Sequence, residues 1–209
     1  MAGAPGFTVY LITDRRLFAG ATLLYEAVEA ALQAGIRAVQ LREKDLPLRE
    51  MLAMAYRLRE ITVRHGARLL VNDRIDVAMA VAADGVHLGR ESMPAGAARK
   101  VVGEGMLIGV STHSVAEARD AEREGADFVT LGPVYRTASK LRYGPPLGTD
   151  VLVQAKAAVA VPVFAIGGIT QEKITEVREA GADGVAVISA ILGPDDVKSS
   201  AGEFMRLMT

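Results

Sequence analysis

Short apolar runs rich in β-branched residues alternate along this chain with longer stretches in which apolar residues recur every three or four positions. The short runs have the length of buried strands, and the longer stretches have the period of helices that bury one face. Strands are therefore predicted at residues 9–13, 38–41, 69–71, 85–88, 107–110, 128–131, 163–166 and 185–188. Helices are predicted at residues 23–34, 47–65, 75–82, 94–102, 150–159, 174–180 and 195–208, with one more that ends at Glu124 behind a capping turn at Ser111–Ser114.

The alternation amounts to eight βα units with short connections and one long loop, at residues 132–148. Residues 33–36, 83–86, 124–127 and 180–183 resemble one another, and each group precedes or opens a strand. Such alternation implies a parallel sheet with right-handed crossovers. Eight units favour a closed barrel over an open sheet, and no Gly-x-Gly-x-x-Gly follows any strand. The prediction is an α/β protein with a single-domain (β/α)8 TIM barrel over residues 1–209.

Composition narrows the functional classes. The 209 residues carry a net charge of -1, which argues against a nucleic-acid surface or an anionic membrane as partner. The absence of cysteine excludes disulfides, zinc thiolate sites and thiol catalysis. No apolar run reaches the roughly 18 residues of a membrane span, and the N-terminus lacks the features of a signal peptide. We therefore expect a soluble cytoplasmic protein without nucleic-acid or membrane partners.

The last two predicted strands end in a way that suits a phosphate group. Gly167 and Gly168 follow one strand, and without a Cβ their backbone N–H groups can approach a ligand closely. Ser189 and Ala190 follow the other, where the next helix is expected to begin and to offer free N–H donors. A phosphate site built by the last two βα loops is common in TIM barrels. Two ordinary βα turns are the alternative.

Polar residues gather at the predicted carboxyl ends of the strands, which is where such barrels place their active sites. These residues are Thr13, Asp14, Arg42, Lys44, Asn72, Asp73, Arg90, Glu91, Ser92, Ser111, His113, Thr137, Ser139 and Lys140, together with Gly167, Gly168, Ile188 and Ser189. Cations, an acid and hydroxyls that converge on one mouth suit an anionic, phosphorylated substrate. They also suit a divalent metal, because carboxylate and phosphate oxygens are ligands that Mg²⁺ prefers.

Several of these residues have a purely structural interpretation. Residues 42–44 could form a solvated loop, and Asp73 could cap the helix predicted from Ile75, since Asp is a preferred N-cap. His113 could belong only to the capping turn at Ser111–Ser114. His87 lies within an apolar strand, where a core histidine with satisfied hydrogen bonds is the common case. The convergence on one mouth is harder to dismiss than any one residue.

Six motifs, taken in order, resemble the thiamin phosphate synthase/TenI family over nearly the whole chain. They are Tyr10-Leu-Ile-Thr-Asp14, Gln40-Leu-Arg-Glu-Lys44, Val71-Asn-Asp-Arg74, Ala83-Asp-Gly-Val-His-Leu-Gly89, Gly132-Pro-Val-Tyr-Arg-Thr137 with Lys140, and Ala165-Ile-Gly-Gly-Ile169. The resemblance implies thiamine biosynthesis. Its substrates would be an aminopyrimidine pyrophosphate and a thiazole phosphate.

The resemblance also implies roles for individual residues. Magnesium and the pyrophosphate would be held by Arg42, Lys44, Asn72, Asp73 and Lys140, with Asp73 as the metal ligand. The thiazole phosphate would lie on Thr137, Ser139, Gly168, Ile188 and Ser189, and Ser111 and Gly167 complete the predicted substrate-binding set. In such synthases the pyrophosphate leaves, a stabilised pyrimidine cation forms, and the thiazole nitrogen attacks it. The leaving charge must be neutralised, a task suited to Arg, Lys and a metal ion.

One position departs from the synthase pattern. Such synthases usually carry a second metal-ligand Asp after the fourth strand, and here that position is Ser92. TenI-type thiazole tautomerases also lack this acid, and in them a histidine at the position of His113 acts as acid and base. The segment 143–148 also resembles the TenI branch. A synthase is the leading prediction, a tautomerase is the close alternative, and a non-catalytic thiazole-phosphate-binding regulator is the third. The sequence does not determine the oligomeric state. A homodimer is one alternative, because small barrels often pair through their helices.

Overall fold

The structure, a computed structural model, describes residues 5–137 and 145–209. Its parallel strands follow one another around a closed barrel in chain order, and the eighth pairs with the first. They are β1 Val9–Ile12, β2 Ala38–Leu41, β3 Arg68–Asn72, β4 Gly85–Leu88, β5 Leu107–Thr112, β6 Phe128–Leu131, β7 Val163–Ile166 and β8 Gly184–Val187. The predicted (β/α)8 barrel is confirmed.

Helices surround the barrel in the described ranges. They are α1 Ala21–Gln33, α2 Leu48–Arg64, α3 Ile75–Ala80, α4 Ala95–Val102, α5 Val115–Arg123, α6 Asp150–Ala158, α7 Ile174–Glu179, α8 Ser189–Leu192 and α9 Val197–Met208, with 3-10 turns at Arg15–Leu17 and Gln171–Lys173. Within the same ranges, no helix has both the length and the apolar character needed to cross a membrane.

The predicted capping turn at Ser111–Ser114 was wrong for its first two residues. Ser111 and Thr112 belong to β5, where they pair in register with Thr130 and Leu131 of β6. Ser114 alone caps α5, and its hydroxyl accepts a hydrogen bond from the N–H of Glu117 at 3.1 Å. Serine and threonine are common in helix caps, but they also occur in strands. Here the pairing with β6 places Ser111 and Thr112 in the strand.

The interior of the barrel is filled by aromatic rings. Phe7, Tyr10, Phe128 and Phe164 are buried together, and the centroids of neighbouring rings lie as close as 5.2 Å. Strand glycines make room for them, because a Cβ on Gly109 would lie 2.4 Å from the Phe128 ring. A second, larger apolar cluster separates the strands from the helices. The interior of the barrel is therefore a packed core and not a pore.

Three of the four similar segments place an aspartate at the amino ends of the strands, where it bonds to a neighbouring strand. Asp84, Asp127 and Asp183 each precede an even-numbered strand. Each carboxylate accepts the N–H of the residue that starts, or lies next to the start of, the preceding strand: Leu69 at 2.8 Å, Ile108 at 2.7 Å and Val163 at 2.7 Å. Each also pairs with a cation on the helix that leads into that preceding strand: Arg59 of α2, Arg99 of α4 and Lys156 of α6. This end of the barrel is therefore joined by internal charge pairs.

Candidate active site

Each predicted site residue that lies in the described ranges is found at the carboxyl ends of the strands, around one mouth. Arg42 and Lys44 follow β2, Asn72 ends β3, Asp73 follows it, Ser111 lies near the end of β5, His113 and Thr137 follow β5 and β6, and Gly167, Gly168, Ile188 and Ser189 follow β7 and β8. Because β7 and β8 are parallel neighbours, Gly168 and Ser189 lie at the same end. Ser139 and Lys140 fall outside the described residues.

The floor of the mouth contains a buried polar chain. The Nε2 atom of His87 lies 3.0 Å from the Ser111 hydroxyl and 3.5 Å from that of Thr130. His87 is only 2% exposed, and burial, aided by the positive charge of Arg42, lowers its pKa to about 3. The ring is therefore neutral at physiological pH. Its Nδ1 atom is buried without a hydrogen-bond partner among the described residues. The expectation of a core histidine with satisfied hydrogen bonds therefore holds for Nε2 but not for Nδ1.

The loop after β2 is anchored to the loop after β1. The N–H of Arg42 donates to the Thr13 hydroxyl at 3.0 Å, and the Glu43 carboxylate accepts the N–H of Arg15 at 3.0 Å. Glu43 is only 3% exposed, and burial raises the pKa of its carboxyl group. The solvated-loop interpretation is therefore wrong for this residue. Arg42 is half-buried and Lys44 is exposed, so both cations remain at the rim.

Asp73 is exposed at the end of β3 and adopts a positive φ of 65°. Its N–H donates to the carbonyl of His87 at 2.9 Å, which fixes the backbone against β4. The helix-capping interpretation fails, since α3 has Arg74 at its N-cap position and no side-chain capping bond. An L-residue other than Gly is disfavoured at such a φ, although Asp and Asn tolerate it best. The backbone at Asp73 is therefore strained, and its side chain lies exposed at the rim.

Ser92 closes a tight turn after β4. Its hydroxyl accepts the N–H of Gly89 at 2.8 Å, and its own N–H donates to the carbonyl of Gly89 at 3.1 Å. Among residues 5–137 and 145–209, no group of three His, Cys, Asp or Glu side chains could hold a metal ion. Mg²⁺ nevertheless often uses one or two carboxylates plus substrate phosphates and water. The single carboxylate of Asp73 fits a metal site that is completed by the substrate.

The opposite side of the mouth is built from backbone. Gly167 and Gly168 have φ values of 95° and 66°, and the segment after β6 lies directly against them. A Cβ on Gly167 would lie 2.6 Å from the Pro133 Cβ, and one on Gly168 would lie 2.6 Å from the Arg136 carbonyl. Both positions therefore require glycine. Beside this turn, α8 begins at the exposed Ser189, and the first N–H groups of a helix have no intrahelical partner.

His113 lies at the rim after β5 and is tied to the first turn of α5. Its N–H donates to a Glu117 carboxylate oxygen at 2.7 Å, and its Nδ1 atom lies 3.4 Å from the same oxygen. The imidazole is half-buried. This position suits an acid/base group. It equally suits a residue that only supports the helix start.

Comparison with known proteins identifies the family of this chain. Residues 9–191 match the family model described as thiamine monophosphate synthase. The chain belongs to the thiamine monophosphate synthase family. A putative thiamine-phosphate synthase of Geobacter sulfurreducens is 52% identical, over 97% of this chain and 94% of that protein. The thiamine-phosphate synthase of Methanoculleus marisnigri is 47% identical, over 94% of this chain and 92% of its own.

A solved member of this family has the same fold. The thiamine phosphate pyrophosphorylase of Pyrococcus furiosus is 40% identical, with a TM-score of 0.88 and coverage of 97% of this chain and 95% of that one. A 3-hexulose-6-phosphate synthase at 18% identity, with a TM-score of 0.73, shares the barrel alone. The family predicted from the six motifs is confirmed. The roles of individual residues stay predictions.

Proposed function

We propose that this protein is a thiamine-phosphate synthase that joins an aminopyrimidine pyrophosphate to a thiazole phosphate and releases pyrophosphate. Similarity over nearly the full chain to proteins with this name carries the proposal, at 52% identity to the Geobacter sulfurreducens relative and 40% to the Pyrococcus furiosus structure. The two sides of the mouth match the two phosphorylated substrates. The cytoplasmic location and the homodimer stay predictions from the sequence.

The side formed by β2 and β3 suits the pyrophosphate. Arg42 and Lys44 bring two positive charges to the rim, and the amide of Asn72 lies at the end of the neighbouring strand. Charge that develops on a leaving pyrophosphate is stabilised by cations already in place. Ser111 lies deeper, bonded to the neutral His87, and its hydroxyl can still bond to the pyrimidine.

Magnesium is the proposed cofactor, held by Asp73 together with oxygens of the pyrophosphate. When bound, it supplies further charge neutralisation at the leaving group. The carboxylate of Asp73 is exposed, and its backbone is fixed by the bond to the His87 carbonyl, so it is available to a cation at the rim. The second carboxylate that family synthases usually supply is replaced by the hydroxyl of Ser92.

The side formed by β7 and β8 suits the thiazole phosphate. The Gly167–Gly168 turn and the start of α8 at Ser189 present backbone N–H groups, and the Ile188 side chain packs with the apolar residues inside the barrel. Thr137 lies in the segment after β6. An anion is favoured where backbone N–H groups converge.

A thiazole tautomerase is the second candidate, because Ser92 removes a metal ligand that a synthase uses and His113 lies at the rim. One pair of assays separates the candidates. The pure protein is incubated with both synthase substrates and Mg²⁺, and separately with the unaromatised thiazole carboxylate phosphate. Thiamine phosphate in the first tube alone supports the synthase. Turnover in the second tube alone, lost in His113→Asn, contradicts it and supports the tautomerase.

A non-catalytic regulator would bind thiazole phosphate without turnover in either tube. Ser189→Glu tests the phosphate side in all three cases, because it places a negative charge at the start of α8, where both charge and bulk oppose an anion. We expect the affinity for thiazole phosphate, measured by calorimetry, to be largely lost while the far-ultraviolet circular dichroism is unchanged. Unchanged affinity would remove this loop from the site.

A further inference from the structure

Two charged side chains that are not among the predicted site residues, Lys173 and Glu176, contact the phosphate side of the mouth. The ammonium group of Lys173 donates to the Gly168 carbonyl at 2.8 Å and lies 4.3 Å from the centroid of the Tyr135 ring. One carboxylate oxygen of Glu176 accepts the Tyr135 hydroxyl at 2.7 Å, and the other accepts the Thr149 hydroxyl at 3.2 Å. One carboxylate therefore joins two segments that are separate in sequence.

The two segments are the outgoing arm, residues 132–137, and the returning arm, residues 145–149. The N–H groups of Leu147 and Gly148 donate to the carbonyls of Pro133 and Val134 at 2.8 and 3.0 Å, so the arms are paired with each other. The outgoing arm is also bonded to β7 and its turn, because the N–H of Tyr135 donates to the Gly167 carbonyl at 3.0 Å. Both arms and the glycine turn thus form one hydrogen-bonded unit.

Lys173 and Glu176 fasten this unit from outside. Lys173 ends the 3-10 turn directly before α7, and Glu176 lies three residues later in the first turn of that helix, a spacing that puts two side chains on the same face. Burial, together with the neighbouring Glu176, raises the pKa of the Tyr135 hydroxyl, so this group remains a donor to the carboxylate at physiological pH. The ammonium group that covers the ring fixes the plane of Tyr135 through a cation–π contact.

We propose that Lys173 and Glu176 are positioning residues of the phosphate side, which hold the outgoing arm and Gly168 in the arrangement that receives the thiazole phosphate. The inference rests on the proposed function for its substrate. Neither side chain needs to touch that substrate. Their effect is to set the distance between Thr137, at the end of the outgoing arm, and the N–H groups of the glycine turn.

Glu176→Gln is the direct test, because the amide keeps the size of the side chain but has only one acceptor oxygen for the two hydroxyls. We expect the KM for thiazole phosphate to rise about tenfold, which corresponds to ~1.4 kcal/mol. The kcat and the KM for the pyrimidine pyrophosphate should stay within about twofold, since the chemistry and the other side of the mouth are unchanged. Glu179→Gln, an exposed change at the end of the same helix, is the matched control and should change none of these constants.

A double-mutant cycle with Tyr135→Phe separates positioning from general loss of structure. Because both changes break the same bond, the double variant should be scarcely worse than the poorer single variant in its KM for thiazole phosphate. If the KM increases of the two single variants multiply in the double variant, the bond between Tyr135 and Glu176 is not their common cause, and this step of the proposal is overturned. A KM that stays at the wild-type value in Glu176→Gln would overturn the proposal, as would a fall confined to kcat.

Binding measurements keep this proposal distinct from the proposed function. If the wild-type protein makes thiamine phosphate but Glu176→Gln has normal constants, the synthase stands and the positioning role falls. If the wild-type protein makes none, calorimetry with thiazole phosphate still tests the positioning role. A dissociation constant about tenfold higher in Glu176→Gln then supports it, and an unchanged constant overturns it.

Discussion

Asp73, at the mouth of the barrel, has different surroundings from three aspartates at the opposite end. At the amino ends of the strands, Asp84, Asp127 and Asp183 each accept a backbone N–H and pair with a helix cation. At the carboxyl ends, Asp73 is exposed at a positive φ, and its carboxylate forms no hydrogen bond or ion pair within the described residues. A carboxylate with protein partners on every side contributes to the fold. One without them is available to a ligand or a metal.

Asp73→Asn tests whether the exposed carboxylate at the mouth has a functional role and no structural one. Asn tolerates a positive φ nearly as well as Asp, so the backbone should keep its conformation. The change removes the charge of the proposed metal ligand, and we expect kcat/KM for coupling to fall about a thousandfold, which is ~4 kcal/mol of transition-state stabilisation. The midpoint of thermal unfolding should move by no more than about 1 °C, because no internal bond of the carboxylate is removed.

Steady-state kinetics at saturating Mg²⁺, together with calorimetric binding of thiazole phosphate, would check this expectation. Binding of that substrate should be retained, since the opposite side of the mouth is built by other strands. A large loss of stability, or activity close to that of the wild type, would show that Asp73 is a structural residue after all.

The next largest effect is expected at the other end, in Asp127→Ala. Its carboxylate is only 9% exposed, and its removal leaves the N–H of Ile108 and the guanidinium of Arg99 without this acceptor. We expect the free energy of unfolding to fall by about 2–3 kcal/mol, with kcat and KM unchanged. Urea unfolding would measure it, and Asp120→Ala, which removes an exposed pair with Arg123, should cost less than about 0.5 kcal/mol.

The sequence predicted the barrel well because the strands are compact apolar runs that end at glycine or at a polar residue. It predicted the rim equally well, since the carboxyl ends of the strands define one mouth once the barrel is known. It missed what depends on a neighbouring strand. Ser111 and Thr112 have the composition of a cap, and only their pairing with β6 makes them strand. The buried state of Glu43 depends on Thr13 and Arg15, which lie in the preceding βα loop.

Contacts across long stretches of sequence were also beyond prediction. Nothing in the local pattern around Glu176 indicates that its carboxylate receives Tyr135 and Thr149, which are 41 and 27 residues away. His87 carried a partial signal, as the one histidine within a predicted apolar strand. Hydrophobic pattern alone cannot say which side of a strand faces the mouth, so its bond to Ser111 became visible only with the register of β4 and β5.

His87 lies between the two ends and predicts how stability depends on pH. Its pKa is about 3 in the folded protein against 6.5 for an ordinary histidine, so the unfolded chain takes up a proton below pH 6.5 that the folded protein refuses. The free energy of unfolding should therefore fall as the pH is lowered through this window, by about 2 kcal/mol between pH 7 and pH 5.

His87→Gln should remove this part of the pH dependence, because the amide does not titrate. Urea unfolding at pH 7 and pH 5 measures the difference for each protein, so any constant cost of the substitution cancels. An equal loss of stability in both proteins on going to pH 5 would show that the folded imidazole can be protonated, and that the floor of the mouth is wetter than its burial indicates.

The smallest effect is expected for Ser92→Asp. This change adds a second carboxylate to the mouth, at the position where synthases of the family usually carry one. The Ser92 hydroxyl already accepts the N–H of Gly89 at 2.8 Å. A carboxylate can keep that bond with one oxygen and offer the other to a metal ion held by Asp73, so the turn need not change. We expect the Mg²⁺ concentration for half-maximal coupling to fall by about threefold to tenfold, or ~0.7–1.4 kcal/mol.

Ser92→Asn is the matched control, since its side-chain oxygen can accept the same N–H but brings no charge. It should leave the Mg²⁺ requirement near the wild-type value. Calorimetric titration of Mg²⁺ in the presence of inorganic pyrophosphate gives a readout that does not depend on turnover, and the same order of affinities is expected there. If both variants behave like the wild-type protein, position 92 lies too far from the cation, and the rim carries a metal site that depends on Asp73 and substrate oxygens alone.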